Sequence, residues 1–232
     1  MEDRVTELRS IRLLAALLGF AATFITAHAA ADSSWIGSLA IVGGYSHRTL
    51  PDTHEVIPGD APRLDGAMPS FGLSGYLERP SGYGFGVDLM YAGGSARSDE
   101  YSADWWDSTT LFVFGYAWRF DRFDIGPRIG GGTATMQYVY RARAATSARD
   151  VLGAASGSGS IDGVAFVVDG KLHARYHFER SHSGKGVFLG VLGGYSVSPF
   201  DTDWRYFGRN VSGGPEHRYR SPYGALTFGI EF

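Results

Sequence analysis

Long stretches of the sequence alternate between two kinds of residue, and the clearest stretch lies at 163–178. The apolar set in that stretch is Val164, Phe166, Val168, Leu172, Tyr176 and Phe178. The charged set between them is Asp169, Lys171, His173, Arg175 and His177. Because successive side chains of a β-strand point to opposite faces, this pattern predicts a strand with one apolar and one charged face. A shift of one residue would exchange the two faces, so the register is well specified.

The same period of two recurs in seven further segments, and no useful stretch has the helical period of 3.6. These segments are 35–47, 68–78, 83–92, 109–120, 123–140, 186–197 and 219–232. In 123–140 the apolar positions change parity across Gly130–Gly132, which predicts a bulge there. Glycine, with 33 of 232 residues, has about twice its usual share, which favours strands and turns over helices. We therefore predict an all-β fold with eight strands.

The connections between the predicted strands alternate in length. Short turns are predicted at 79–82, 120–123 and 179–185, and long polar loops near 48–66, 96–106, 141–160 and 198–217. Short turns at one end and long loops at the other are typical of an up-and-down antiparallel transmembrane β-barrel. No internal repeat or domain boundary interrupts this pattern.

The first thirty residues differ from the remainder. Two arginines precede an apolar segment at 13–25, and small residues follow it. This layout predicts a cleavable secretory signal peptide over 1–31, cut after Ala29 or Ala31, since the apolar segment is too short to span a bilayer as a helix. The remaining chain, 32–232, is then a single barrel domain.

Composition excludes several classes of protein. The chain has no cysteine, so it holds no disulfide and no cysteine nucleophile. A formal net charge of -3 without a basic run argues against nucleic-acid binding. A soluble barrel would show a surface rich in lysine and glutamate, whereas this chain has only Lys171 and Lys185 as lysines. The charged faces are therefore interpreted as lumenal and the apolar faces, with aromatics near the strand ends, as lipid-facing.

Charged side chains on the inward faces are expected to form a structural network in the lumen. The predicted members are Asp88, Arg119, Asp124, Arg128, Asp169, Lys171, His173, Arg175, His177 and Glu231. Buried charges are tolerated when they are paired, so the acidic members are the expected partners of Lys171, Arg175, Arg128 and Arg119.

The closing segment Tyr223–Phe232 alternates apolar residues and ends on phenylalanine. Together with the signal region and the rhythm of strands and loops over about 200 residues, it resembles small eight-stranded Gram-negative outer-membrane barrels of the OmpA, OmpX, OmpW and Opa group. The resemblance implies a bacterial outer-membrane location with both termini periplasmic. It also implies that Phe228, Ile230 and Phe232 form an assembly signal for the barrel insertion machinery, and that lipid and lipopolysaccharide are partners.

No catalytic, cofactor or metal site is predicted. His173 and His177 share a strand face but stand about 13 Å apart at roughly 3.3 Å per residue, too far for one ion. No nucleophile elbow, no defensible Ser–His–acid set and no phosphate loop occur in the sequence.

The long loops are the remaining candidates for interaction, because exposed Trp, Tyr and Arg favour binding. The candidates are Trp105, Trp106, Trp204, Arg205 and Tyr206. The same residues also suit a membrane interface beside lipopolysaccharide. We predict a non-enzymatic barrel with a structural or surface-interaction role. The alternatives are a narrow pore for small solutes, a lipid-modifying outer-membrane enzyme, and a soluble periplasmic lipocalin-like ligand binder.

Overall fold

The computed structural model describes residues 35–48, 66–97, 101–142, 158–178, 186–206, 209–210 and 218–232. The predicted signal peptide lies outside the described residues. The strands are β1 (Ile36–His47), β2 (Ala67–Glu78), β3 (Tyr83–Arg97), β4 (Tyr101–Tyr116), β5 (Trp118–Phe120), β6 (Phe123–Ala142), β7 (Ser158–His177), β8 (Gly186–Val197), β9 (Asp203–Tyr206), β10 (Arg209–Asn210) and β11 (Arg220–Glu231). Within the described ranges, no helix is long and apolar enough to cross a membrane.

Eight antiparallel strands close into a barrel. Their order is β1, β2, β3, β4, β6, β7, β8 and β11, and β11 pairs back onto β1 with Ser38 opposite Glu231. The short β5 continues β4 along β6 after Ala117, in the same register. Every sheet edge within this ring is thereby paired. The predicted all-β, eight-stranded antiparallel barrel is confirmed.

One end of the barrel carries the short turns, and we call it the lower end. The turn from β2 to β3 places Gly82 at a φ of 94° and closes with the Gly82 N–H donating to the Arg79 carbonyl at 2.9 Å. A positive φ is easily adopted by glycine, which suits it to this tight turn. The chain enters and leaves the barrel at the same end, where Gly37 and Phe232 exchange backbone hydrogen bonds of 3.0 and 2.9 Å.

At the upper end several strands are longer than predicted. Residues 96–106 do not form a long loop, because β3 and β4 pair up to Arg97 opposite Ser102. The predicted loop at 198–217 contains β9, which pairs with β7 beyond the end of β8, and β10. In the upper part of β4 inward Ala103 and Trp105 alternate with polar residues, so this segment keeps the strand period. The polar residues were wrongly interpreted as a loop.

The bulge predicted at Gly130–Gly132 is wrong, because β6 pairs with both neighbours in one unbroken register. The parity change has a different cause. In the lower half of β6 the outward positions, such as Ile129, are apolar. In the upper half the outward positions include Thr133 and Thr135, and the inward Met136 is fully buried. The environment of the two faces reverses along a regular strand, which mimics a register shift in sequence.

An apolar core fills the upper part of the barrel. Its members are Met68, Tyr76, Ala92, Ala103, Trp105, Leu111, Val113, Ala134, Met136, Tyr138, Ala165, Val167, Trp204 and Tyr219, with Ile161 packed against them. The rings of Trp105 and Tyr138 meet edge to face at 6.1 Å between centroids. We call this group the upper core; most of it lies toward the upper end, whereas Tyr76 packs against the lower-lying Arg128 and Leu111 stands opposite Asp88.

Candidate functional site

The residues predicted to line the lumen lie inside the barrel. Nine of the ten are buried: Asp88, Asp124, Arg128, Asp169, Lys171, His173, Arg175, His177 and Glu231. The tenth, Arg119, leaves 23% of its side chain accessible. They are carried by β3, β5, β6, β7 and β11, at inward positions that alternate with apolar outward ones. These ten residues and Glu78, described next, are called the lumenal network.

Three carboxylates from different strands converge on Arg175. Its Nη2 lies 2.8 Å from Oε2 of Glu78 and 3.3 Å from Oδ2 of Asp124. Its Nη1 lies 3.8 Å from Oε1 of Glu231. A guanidinium offers five donors in a fixed plane, so one arginine can link β2, β6 and β11 across the lumen. This contact set ties opposite walls of the barrel together.

His177 lies beside the same cluster with a carboxylate at each ring nitrogen. Its Nε2 is 2.9 Å from Oδ2 of Asp124, and its Nδ1 is 3.3 Å from Oε2 of Glu231. These three side chains offer ligand atoms within 4.8 Å of one another, close enough in principle for a metal ion. However, the Arg175 guanidinium contacts both carboxylates and already supplies the positive charge there. The trio is better explained as part of a salt-bridge cluster.

Lys171 forms a second cluster higher in the lumen. Its ammonium pairs with Asp88 and lies 3.0 Å from Oδ2 of Asp169. Asp169 also accepts hydrogen bonds from Ser196 Oγ at 2.7 Å and from the Tyr223 hydroxyl at 2.8 Å. A buried ion pair is tolerated when its remaining hydrogen-bonding positions are filled, and those of Asp169 are filled in this way.

Two basic members have partners that sequence reasoning did not name. The Arg128 guanidinium carbon lies 3.8 Å from the centroid of the Tyr76 ring, a cation–π contact. Arg119 pairs with Glu78 at 2.5 Å. Glu78 was missed because it is the last residue of β2 and stands next to an arginine, where a charge looks like part of a solvated turn.

A further buried ion pair was also missed. The Nε of Arg48, just beyond β1, lies 2.5 Å from Oδ2 of Asp107, and the guanidinium also donates to Ser221. Burial raises the pKa of the nearby Tyr219 phenol, whose hydroxyl lies 3.3 Å from Oγ1 of Thr109. The inward parity of Asp107 was available in the sequence, whereas its pairing with a residue 59 positions away was not.

A small cavity separates the Lys171 cluster from the Arg48–Asp107 pair. Its volume is about 30 Å³, which accommodates about two water molecules. Ser46 Oγ, Ser70 Oγ and Asp88 Oδ1 line it without a hydrogen-bond partner among the described residues. Buried polar atoms of this kind are commonly bridged by water. The cavity is too small for a solute. Leu111 and Tyr219 of the upper core are among its lining residues.

The outward surface is apolar over its lower and middle parts. Large exposed apolar side chains include Ile41, Tyr45, Phe71, Tyr83, Phe85, Phe112, Phe114, Trp118, Phe120, Phe123, Ile125, Ile129, Phe166, Val168, Leu172, Tyr176, Phe178, Val187, Leu189, Val191, Tyr195, Leu226, Phe228 and Ile230. Aromatics cluster at the lower rim, where the Tyr83 and Tyr116 rings lie 4.8 Å apart. A second cluster lies higher, where the Phe71 and Tyr91 rings are 5.1 Å apart. We call this surface the apolar belt.

The predicted assembly signal is at the lower end of β11. Phe228 and Ile230 are exposed on the belt, and Phe232 is half-buried beside the first residues of β1. Its backbone is fixed by the two hydrogen bonds to Gly37. Whether cellular machinery reads these residues stays a prediction.

The five loop candidates separate into two groups. Trp105 and Trp204 are buried in the upper core, with 1% and 5% exposure, so neither presents its indole to a partner. Their inward parity on β4 and β9 explains this, because both segments are strands rather than loops. Trp106 and Arg205 alternate with them and are exposed on the outer face. The side chain of Tyr206 lies outside the described part of the structure.

Comparison with known proteins defines the fold. No family model and no curated protein matches the sequence. Ail of Yersinia pestis, solved with the heparin analogue sucrose octasulfate, superposes with a TM-score of 0.52 at 13% identity, covering 86% of this chain and 99% of that one. Neisserial surface protein A has a TM-score of 0.42 at 10% identity, covering 84% and 95%. The likeness to Ail shows that the chain shares the closed barrel fold of a small outer-membrane protein.

Proposed function

We propose that this protein is an outer-membrane barrel of a Gram-negative bacterium, without enzymatic activity, which serves a structural or surface-interaction role. The observation that carries the proposal is the polarity of its two faces. Charged residues are paired inside, and a broad apolar belt faces outward. Monomeric soluble proteins rarely expose contiguous apolar patches beyond a few hundred Å². A soluble lipocalin-like binder would have the reverse arrangement.

Several features support a closed barrel rather than a pore. Eight strands leave an interior just wide enough for side chains. Here that interior holds the lumenal network in its lower part and, in its upper part, the upper core together with the Arg48–Asp107 pair. The cavity between them accommodates only water. The proposed role therefore depends on the outer surface.

The proposed topology places both termini in the periplasm. Short turns of outer-membrane barrels face the periplasm and longer loops face outward. In this chain the lower end carries the turns at 79–82 and 121–122. The start of β1 and the end of β11 lie at the same end. Lipid and lipopolysaccharide would contact the apolar belt, and the barrel insertion machinery would receive β11.

Heat-modifiable migration tests the location. Protein without residues 1–31, refolded in detergent, should migrate differently on gels before and after boiling, because a closed ladder resists detergent until heated. Identical migration together with solubility in plain buffer would contradict the proposal. Swelling of protein-loaded liposomes in small sugars would reveal a pore, and a change in lipid A mass on expression would reveal a lipid-modifying enzyme.

A further inference from the structure

A row of five outward-facing residues crosses the upper part of the barrel. In register across β3, β4, β6, β7 and β9 stand Gly93, Trp106, Gln137, Asp162 and Arg205. Each is flanked along its own strand by inward-facing residues. At about 4.8 Å between strands, the row extends about 14 Å from Trp106 to Arg205. We call it the outer row.

The indole of Trp106 lies flat against the sheet because its neighbour in the row is glycine. A Cβ at Gly93 would overlap the six-membered ring of Trp106. The ring also contacts Tyr91, with 5.8 Å between centroids. Trp106 remains 39% exposed. The result is a flat aromatic surface that faces outward and is held by its neighbours.

Planar polar groups continue the row beyond the indole. Gln137 Nε2 donates to Asp162 Oδ1 at 3.0 Å, which fixes the orientation of the side-chain amide. Arg205 stands opposite Asp162 and is exposed. Next to the row, Arg141 and Asp104 form an exposed pair at 3.3 Å. Amide, carboxylate and guanidinium groups supply hydrogen-bond donors and acceptors on this outer face.

Trp106 lies at the upper border of the apolar belt, because its ring contacts Tyr91 and the Tyr91 ring contacts Phe71 of the belt. On β4 itself five residues lie between Trp106 and Phe112, the next strongly exposed aromatic below it, and the outward-facing ones, Ser108 and Thr110, are polar.

We propose that the outer row binds saccharide, and specifically the sugar portion of the glycolipid in the surrounding outer leaflet. An aromatic face packs against the apolar C–H face of a sugar ring, while the adjacent planar polar groups bond its hydroxyls. The row lies directly above the lipid-facing belt, at the height where a membrane glycolipid presents its sugars. This proposal rests on the proposed outer-membrane location.

The direct test titrates the refolded protein with the core oligosaccharide released from lipopolysaccharide by mild acid. The indole N–H resonance of Trp106, assigned by its loss in Trp106→Ala, should shift saturably. Affinity should fall about tenfold in Trp106→Ala and in Gln137→Ala, as expected for loss of one aromatic contact or one hydrogen bond. As a control, Trp118→Ala removes another exposed indole, at the lower rim, and should leave the affinity for the oligosaccharide unchanged.

Two further comparisons decide the source of the sugar. In bilayers, intact lipopolysaccharide should bind wild type more tightly than Trp106→Ala, and lipid A without core sugars should bind both equally. If wild type and Trp106→Ala bound intact lipopolysaccharide equally, the sugar would not be that of a membrane glycolipid. Absence of any saturable shift, or an equal loss in Trp118→Ala, would overturn the saccharide site itself. Heat-modifiable migration of the same samples reports the barrel independently, so the two proposals fail separately.

Discussion

Replacing Arg175 by methionine should be among the most destabilising single changes in the barrel wall. The guanidinium lies 2.8–3.8 Å from carboxylates of Glu78, Asp124 and Glu231. Without it, Glu78 keeps Arg119 as a partner, whereas Asp124 and Glu231 keep only the His177 ring beside them. Removing one partner of a buried ion pair costs about 3–5 kcal/mol, because a charge is left buried without compensation. We expect a loss of this size in the free energy of unfolding.

The assay is equilibrium unfolding in urea of protein folded into detergent or lipid vesicles, followed by the shift between folded and unfolded gel bands. Arg122→Met is the matched control, since Arg122 is exposed at the lower turn and surface changes usually stay within about 0.5 kcal/mol. Adding Glu231→Gln to Arg175→Met removes one of the carboxylates left without the guanidinium while keeping Glu78 paired with Arg119, and it should recover at least about 1 kcal/mol. If Arg175→Met were as stable as Arg122→Met, the lumenal network would not hold the barrel together.

Three further changes test other parts of the molecule. Leu172→Arg, on the belt, should cost about 2–4 kcal/mol in vesicles, and Thr135→Arg, outward but above the belt, should cost under about 0.5 kcal/mol. Gly126→Ala should lower folding yield, since its Cβ would overlap backbone of the adjacent strand, whereas Gly170→Ala, with open space beyond it, should fold normally; equal yields would refute this packing. Deleting Phe232 should reduce outer-membrane assembly in cells much more than refolding in detergent, and normal cellular assembly would remove the assembly-signal hypothesis.

Strand count and barrel topology were predictable because the period of two is local. In β7 the charged and apolar positions of 163–178 determine both faces without knowledge of any neighbour. The inward placement of Lys171 and Arg175 follows directly from parity. Their partners do not, because the contacts of Arg175 join residues up to 97 positions apart. Pairing across a lumen depends on register and shear, which a single sequence does not encode locally.

The errors had one physical origin, the change of environment along the strands. Below the reversal point, apolar residues face outward, and above it they face the upper core. Met136 therefore suggested a bulge in β6, and the buried Trp105 and Trp204 were interpreted as exposed loop residues. Any barrel that extends beyond the membrane and carries its own core will produce this reversal. Where the apolar residues move from the outward to the inward face of a strand while its pairing register stays unchanged, the strand therefore crosses the membrane boundary.

The central claim is that the apolar face of each strand meets lipid, and β7 tests it most directly. The chain has no cysteine, so single cysteines placed at 164–178 can carry a spin label without background. Accessibility to oxygen in bilayers should alternate, with maxima at even positions from 166 to 178 and minima at odd ones. A label at 164, nearer the upper end of β7, should instead be accessible to a water-soluble relaxation agent. Maxima at odd positions, or no alternation, would contradict the account.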